Sequence, residues 1–194
     1  MRGCGRAPSW LPRGSHAYSW LSMNAQPSVP PEHARVTTLD LDPGRFRLCV
    51  WQNISVTLWT DRATLDAGRR ILKIGRELAQ RFPQGRSQVM LIAARAPAPD
   101  AATSELLAEV YDPERSGIVC IAAVLEGEGF WASGIRSRMT NMRIAAGSKI
   151  AMQALSSIDE VATWLPDEHL ERTGVTIGAE ALRTALVEVR QLGT

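Results

Sequence analysis

No apolar run in this chain approaches the roughly 18 residues that a membrane span requires; the longest, Ile118 to Leu125, stops after eight. Cysteine is sparse, with Cys4, Cys49 and Cys120 odd in number, far apart, and two of them inside strand-like stretches. Such spacing excludes a disulfide framework and fits free thiols in a reducing compartment, so a cytoplasmic location is expected. Three scattered histidines and three scattered cysteines offer no ligand spacing for zinc, and no metal site is expected. Surplus charge is also lacking in the folded part. The net +2 resides in the first 34 residues, where Arg2, Arg6 and Arg13 face only Glu32; the other 160 hold 19 basic and 19 acidic side chains. A nucleic-acid partner, which selects for a basic surplus, is therefore not expected. Neither a complete dinucleotide fingerprint nor a P-loop is present, so no cofactor is expected.

What is present begins as a leader. Residues 1–43 mix Pro, Ser, Gly and Trp without a period of 2 or 3.6 and read as disordered, with Met23 a candidate true start. No apolar core of seven residues follows the first Arg, which argues against a secretory signal; a transit peptide fits the Arg- and Ser-containing, acid-poor composition.

Order is expected from Gly44. Phe46, Leu48 and Val50 alternate, as do Ile54, Val56 and Leu58, with Gln52-Asn53 as a hairpin turn between them. Thr60 or Asp61 then caps a helix to about Arg81, striped by Leu65, Ile71, Leu72, Leu78 and Phe82 and stopped at Phe82-Pro83-Gln84-Gly85. A strand over Gln88–Ala94 follows, then a helix capped by Asp100 that carries Leu106, Leu107, Val110 and Tyr111.

The run Ile118–Leu125 suits a central strand buried on both faces. After the turn Glu126-Gly-Glu-Gly129, Phe130, Ile135, Met139 and Met142 fall roughly on one helical face, with Arg136, Arg138 and Arg143 off it. Lys149 to Leu155 is the last strand. Ser157-Ile-Asp-Glu160 is a capping box opening a helix that Pro166 is expected to end. One more helix, about Gly178 to Gln191, has an apolar face of Leu182, Ala185, Leu186 and Val189 that needs a cover, which a second copy of the chain could supply as a homodimer. The fold class is thus α/β: a single mixed, mostly parallel sheet with an N-terminal antiparallel hairpin, flanking helices and an appended C-terminal helix. The divisions are 1–43, 44–166 and 167–194.

The hairpin, the first long helix, the strand ending in Glu126-Gly-Glu-Gly-Phe130 and the close Leu155-Ser-Ser-Ile-Asp-Glu-Val-Ala-Thr-Trp164-Leu165 resemble the STAS-like superfamily. The likeness is to its bacterial branch, which is similar to anti-sigma-factor antagonists and to CRAL-TRIO lipid-binding domains. It spans about residues 44–166. One departure matters: the Asp-Ser-x-Gly context of the phosphorylation-switched members is absent. The loop after Ala94 reads Arg95-Ala-Pro-Ala-Pro-Asp100, and Ser133 follows Trp131-Ala132, so no residue inherits the switch.

Each candidate has a plain alternative. Gly127-x-Gly129 at a helix start could receive a phosphate, but Glu126 and Glu128 would repel it and suit the helix dipole instead. Cys120, mid-strand, is expected to be buried and inert, with no histidine outside the leader except His169. Glu126, Glu128, Asp100 and Arg95 could converge at the strand C-termini for acid–base chemistry, or simply keep that end solvated. Asn53-Ile54-Ser55 matches a glycosylation sequon that a cytoplasmic chain would not use. Trp131, Arg136 and Arg143 form the candidate partner surface, facing an acidic protein or lipid headgroups.

With no catalytic constellation and a near-neutral domain, the resemblance implies a non-enzymatic regulatory or protein-interaction module with a protein partner. The alternative is a carrier of a small apolar ligand or lipid in a cavity near Trp131, Met139 and Met142. An enzyme acting at the strand C-terminal ends is the third reading.

Overall fold

The computed structural model describes residues 35–94, 96–127, 133–137, 139, 140 and 150–192. The leader to residue 34, Arg95, Glu128, Phe130, Trp131, Arg138, Met142, Arg143 and Lys149 lie outside the described residues.

Among the described residues eleven elements of defined bounds follow in order: β1 (Thr37–Asp42), β2 (Phe46–Trp51), β3 (Ile54–Trp59), α1 (Leu65–Arg81), β4 (Arg86–Ile92), α2 (Ala101–Val110), α3 (Pro113–Ser116), β5 (Ile118–Leu125), β6 (Ala151–Leu155), α4 (Ile158–Thr173) and α5 (Ala179–Gln191). Helical residues 133–137, 139 and 140 lie between β5 and β6. The six strands form one sheet in sequence order. β1–β2 and β2–β3 pair antiparallel, and β3–β4, β4–β5 and β5–β6 pair parallel. The expected α/β class with one mixed, mostly parallel sheet is what the chain forms.

Alternation along the strands sends side chains to two cores. One, with Phe46, Leu48, Trp59, Ile121 and Met152 from the sheet, is covered by Ala67 and Ile71 of α1 together with Val110, Tyr111 and Met139. The other, with Trp51, Ile54, Val56, Leu91, Cys120 and Val124, is covered by Val161 and Leu165 of α4 and by Leu182, Leu186 and Val189 of α5. The apolar face of the C-terminal helix thus rests on the chain's own sheet, which supplies the cover without a second copy.

β4 ends at Ile92 rather than Ala94 and β6 begins at Ala151, and four further boundaries differ from the expectation for reasons the structure shows. Order does not begin at Gly44, because β1 precedes it as an edge strand. Its Asp40 and Asp42 are poor strand formers, yet Arg70 of α1 holds both carboxylates at 3.3 and 3.4 Å. α1 is capped by Thr64, not Thr60 or Asp61. The latter two donate their backbone N–H groups to the Arg45 carbonyl and continue the hairpin. Leu65 is correspondingly exposed, and the buried face consists of Ala67, Gly68, Ile71, Gly75 and Leu78. β4 starts two residues early, at Arg86, directly after Gly85, whose φ of +102° suits only glycine.

The fourth difference is Pro166, which sits inside α4 rather than ending it. Its ring removes one N–H, the one that would reach the Ala162 carbonyl, while buried Val161, Leu165 and His169 hold the helix on the sheet on either side of it. Residues beyond 166 therefore continue the same element and join the core, so no structural break falls there. Pro166→Ala restores that hydrogen bond, and its expected effect is a gain of about 1–2 kcal/mol, read as a raised thermal midpoint; an unchanged or lowered midpoint would show that the helix has already adapted to the ring.

Candidate functional site

Three features bring chemistry-bearing side chains together. The first is a cavity of ≈ 180 Å³ between the sheet and α2. The C-terminal end of β3 supplies Trp59, and Asp61 and Ala63 follow on the loop; Met90 and Ile92 come from β4, Ile121 from β5 and Met152 from β6. Ser104, Leu107, Ala108 and Tyr111 close it from α2 and its end, while Ile135 and Met139 close it from the segment between β5 and β6. Sequence order dictates this place. Parallel strands end together on one side, and the connections that leave them must diverge to reach α1 and α2. The wall is apolar and includes three methionines, whose flexible thioethers fit irregular ligands.

The second feature lies on the same face, towards the strand N-termini. Arg86 is only 2% exposed and donates through Nε to the Ser116 carbonyl at 3.1 Å. Its Nη1 reaches the Ser55 hydroxyl and Gln88 Oε1. Gln88 Nε2 in turn donates to the Thr57 hydroxyl and the Val89 carbonyl, and Thr57 bonds the Tyr111 hydroxyl. The string ends at Tyr111, a wall residue of the cavity. Among the described residues no carboxylate pairs with Arg86, and burial draws its pKa down to about 10. Gly75 makes room: a Cβ there would stand 3.4 Å from Nη2. Burial also pushes the Tyr111 phenol well above its ordinary range.

The third feature is on the opposite face. His169 of α4 is fully buried, with Nδ1 2.6 Å from the Ser87 hydroxyl and Nε2 2.9 Å from Asn53 Oδ1. Asn53 Nδ2 donates to the Gly85 carbonyl, so its oxygen is the acceptor towards the ring. His169 therefore carries its proton on Nε2 and accepts from Ser87 at Nδ1. Ser87 also bonds the Cys120 side chain. Burial holds His169 down to about 4 and raises Cys120 to about 11, so the imidazole is neutral and the thiol stays protonated. A serine, a histidine and an asparagine in hydrogen-bond sequence have the makeup of a nucleophilic triad. Ser87, Asn53 and Cys120 are each at most 3% exposed, however, and none of them or His169 lines the cavity. The arrangement pins α4 to the hairpin turn and to β4. It also explains Asn53 in the turn, where Gln52 takes a φ of +52°, and it buries the sequon.

The residues singled out from sequence fare unevenly. Arg136 is exposed on the segment that lines the cavity, whereas Trp131 and Arg143 lie outside the described residues. Met139 lines the cavity; Trp131 and Met142, named with it for the carrier reading, are outside the described residues. At the strand ends Glu126 faces Arg190 of α5 at 3.0 Å, close but not aligned as a hydrogen bond. Asp100 caps α2 through the Thr103 N–H, which lowers its pKa. Each has a structural task, and Arg95 and Glu128 lie outside the described residues. Cys120 is buried, as expected. Ser157 caps α4 by accepting from the Glu160 N–H, while Glu160 accepts from the N–H of Ser156, one residue before the usual partner. Among the described residues no helix is long and apolar enough to cross a membrane, and no group of three or more His, Cys, Asp or Glu is placed to hold a metal ion.

Sequence reasoning missed Arg86, Ser87 and His169. Nothing local marks an arginine after a glycine, or a histidine beyond a proline, as buried. Comparison with protein-family models, curated proteins and solved structures finds no match.

Proposed function

We propose that this protein is a non-enzymatic binding module that carries a small apolar ligand between its sheet and α2. The observation that carries the reading is the cavity of ≈ 180 Å³, walled by Trp59, Met90, Ile121, Met139 and Met152. An apolar cavity of about 150 Å³ suffices to bind benzene, so the size suits one aromatic ring or a short aliphatic chain. This narrows the carrier expectation attached to the STAS-like resemblance from a small apolar ligand or lipid to a ring-sized molecule.

A regulatory role is the second reading, and one observation favours it. Ile135 and Met139 line the cavity, while Arg136 between them is exposed. Ligand occupancy would thus reach a surface available to a protein partner.

Titration with toluene, followed through the methionine methyl resonances, tests the first reading. Met90, Met139 and Met152 are expected to shift. Leu107→Trp, which fills the cavity from α2, is expected to abolish the shifts. Absence of any shift at saturating toluene would end the carrier reading. In the same samples, slower amide exchange at residues 133–140 on binding is the outcome the regulatory reading requires.

A further inference from the structure

The cavity wall contains a single charged residue among those described, Asp61 on the loop two residues beyond β3. Resting on the carrier reading, we infer that the ligand is an apolar amine whose ammonium group is received by Asp61 while its body fills the cavity.

The two hydroxyls of the wall already have partners. The Ser104 hydroxyl donates to the Asp100 carbonyl at 2.8 Å, and the Tyr111 hydroxyl bonds Thr57. Asp61 is different. Its Oδ1 accepts the Arg62 backbone N–H at 2.7 Å, but among the described residues its Oδ2 has only Arg45 Nε at 3.9 Å, beyond hydrogen-bond distance. The carboxylate is half exposed and has lone pairs for an incoming donor. Arg62 lies within electrostatic range of Asp100. The indole of Trp59, two residues upstream, adds an aromatic wall suited to a cation.

A carboxylate at this place selects by sign. An ammonium gains a charge-assisted hydrogen bond, a hydroxyl gains an ordinary one, and an anion meets like charge. Fatty acids and phosphate-bearing ligands are therefore disfavoured, and a hydrophobic amine is favoured. The methionines accommodate an aromatic or aliphatic body alike.

Three probes of one shape test this: 2-phenylethylamine, 2-phenylethanol and phenylacetate, each titrated by calorimetry with toluene as the reference. The amine is expected to bind roughly fivefold more tightly than the alcohol at low salt, as a partly exposed ion pair permits, and phenylacetate more weakly than either. Added salt is expected to shrink the preference. Asp61→Asn is expected to bring the amine-to-alcohol ratio to about one, and Arg45→Ala, which removes the neighbouring guanidinium, to raise it. Equal binding of amine and alcohol, or a ratio that survives Asp61→Asn, would overturn the amine assignment and leave the cavity reading intact. Failure of all four compounds, toluene included, would overturn both.

Discussion

Arg86→Ala is expected to cost about 4 kcal/mol of folding stability, and Arg86→Met only about half of that. The guanidinium is buried, and its donors reach the Ser116 carbonyl, the Ser55 hydroxyl and Gln88 Oε1. Alanine removes the donors and the stem together, leaving a hole beneath α1 as well as acceptors without partners. Methionine keeps most of the volume. It also removes a charge that burial disfavours, the cause of the lowered Arg86 pKa. Buried charges of this kind are often replaceable by apolar residues of similar shape. Urea unfolding of the two variants decides the matter. If methionine proves as damaging as alanine, the donors rather than the volume carry the effect. If alanine is silent, the network has no net worth.

Acid is expected to weaken the fold through His169. Its folded pKa of about 4 lies below the ordinary value of 6.5. Above pH 6.5 both folded and unfolded chains hold the ring neutral, and its contribution is fully present. As pH falls from 6.5 towards 4, the unfolded chain takes up a proton that the folded chain refuses, so stability drops, by up to about 1.4 kcal/mol per pH unit. The loss reaches about 3 kcal/mol near pH 4 and then levels off. Carboxylates add their own acid dependence, so the comparison is with His169→Gln. That variant is expected to be less stable at pH 7, having given up part of the link between Ser87 and Asn53, but to decline less steeply. The two stability curves, measured by denaturant unfolding at each pH, are expected to converge near pH 4. Parallel curves would mean that the ring titrates in the fold as it does in the unfolded chain.

How much of this could be read in the chain depends on how local each cause is. The hairpin at Gln52-Asn53, the Asp100 cap and the Ser157 cap are decided within four residues, and they form as expected. The alternating and continuous apolar runs placed β2 to β6 for the same reason. β1 escaped notice because its Asp40 and Asp42 become strand residues only through Arg70, about 30 positions away. Pro166 misled because a helix buried along one side tolerates a missing hydrogen bond that an isolated helix would not. The candidate site shows the same division. Met139 was legible from helical spacing, whereas Arg86 and His169 acquire their meaning from strands and helices distant in sequence. Asp61, read as a helix cap, is instead a wall residue on the loop two residues beyond β3.

The placement of α4 and α5 bears on how the chain is made. Synthesis delivers the N-terminal part first. The helices that cover one side of the sheet, α1 and α2, emerge between the strands they connect, so that side is clothed as it is built. The other side, carrying Trp51, Ile54, Val56, Leu91 and Val124, receives its helical cover, among the described residues, from residues 158–189. A nascent chain stalled after β6 would present a six-stranded sheet with one apolar side open to solvent, the kind of surface that chaperones shield.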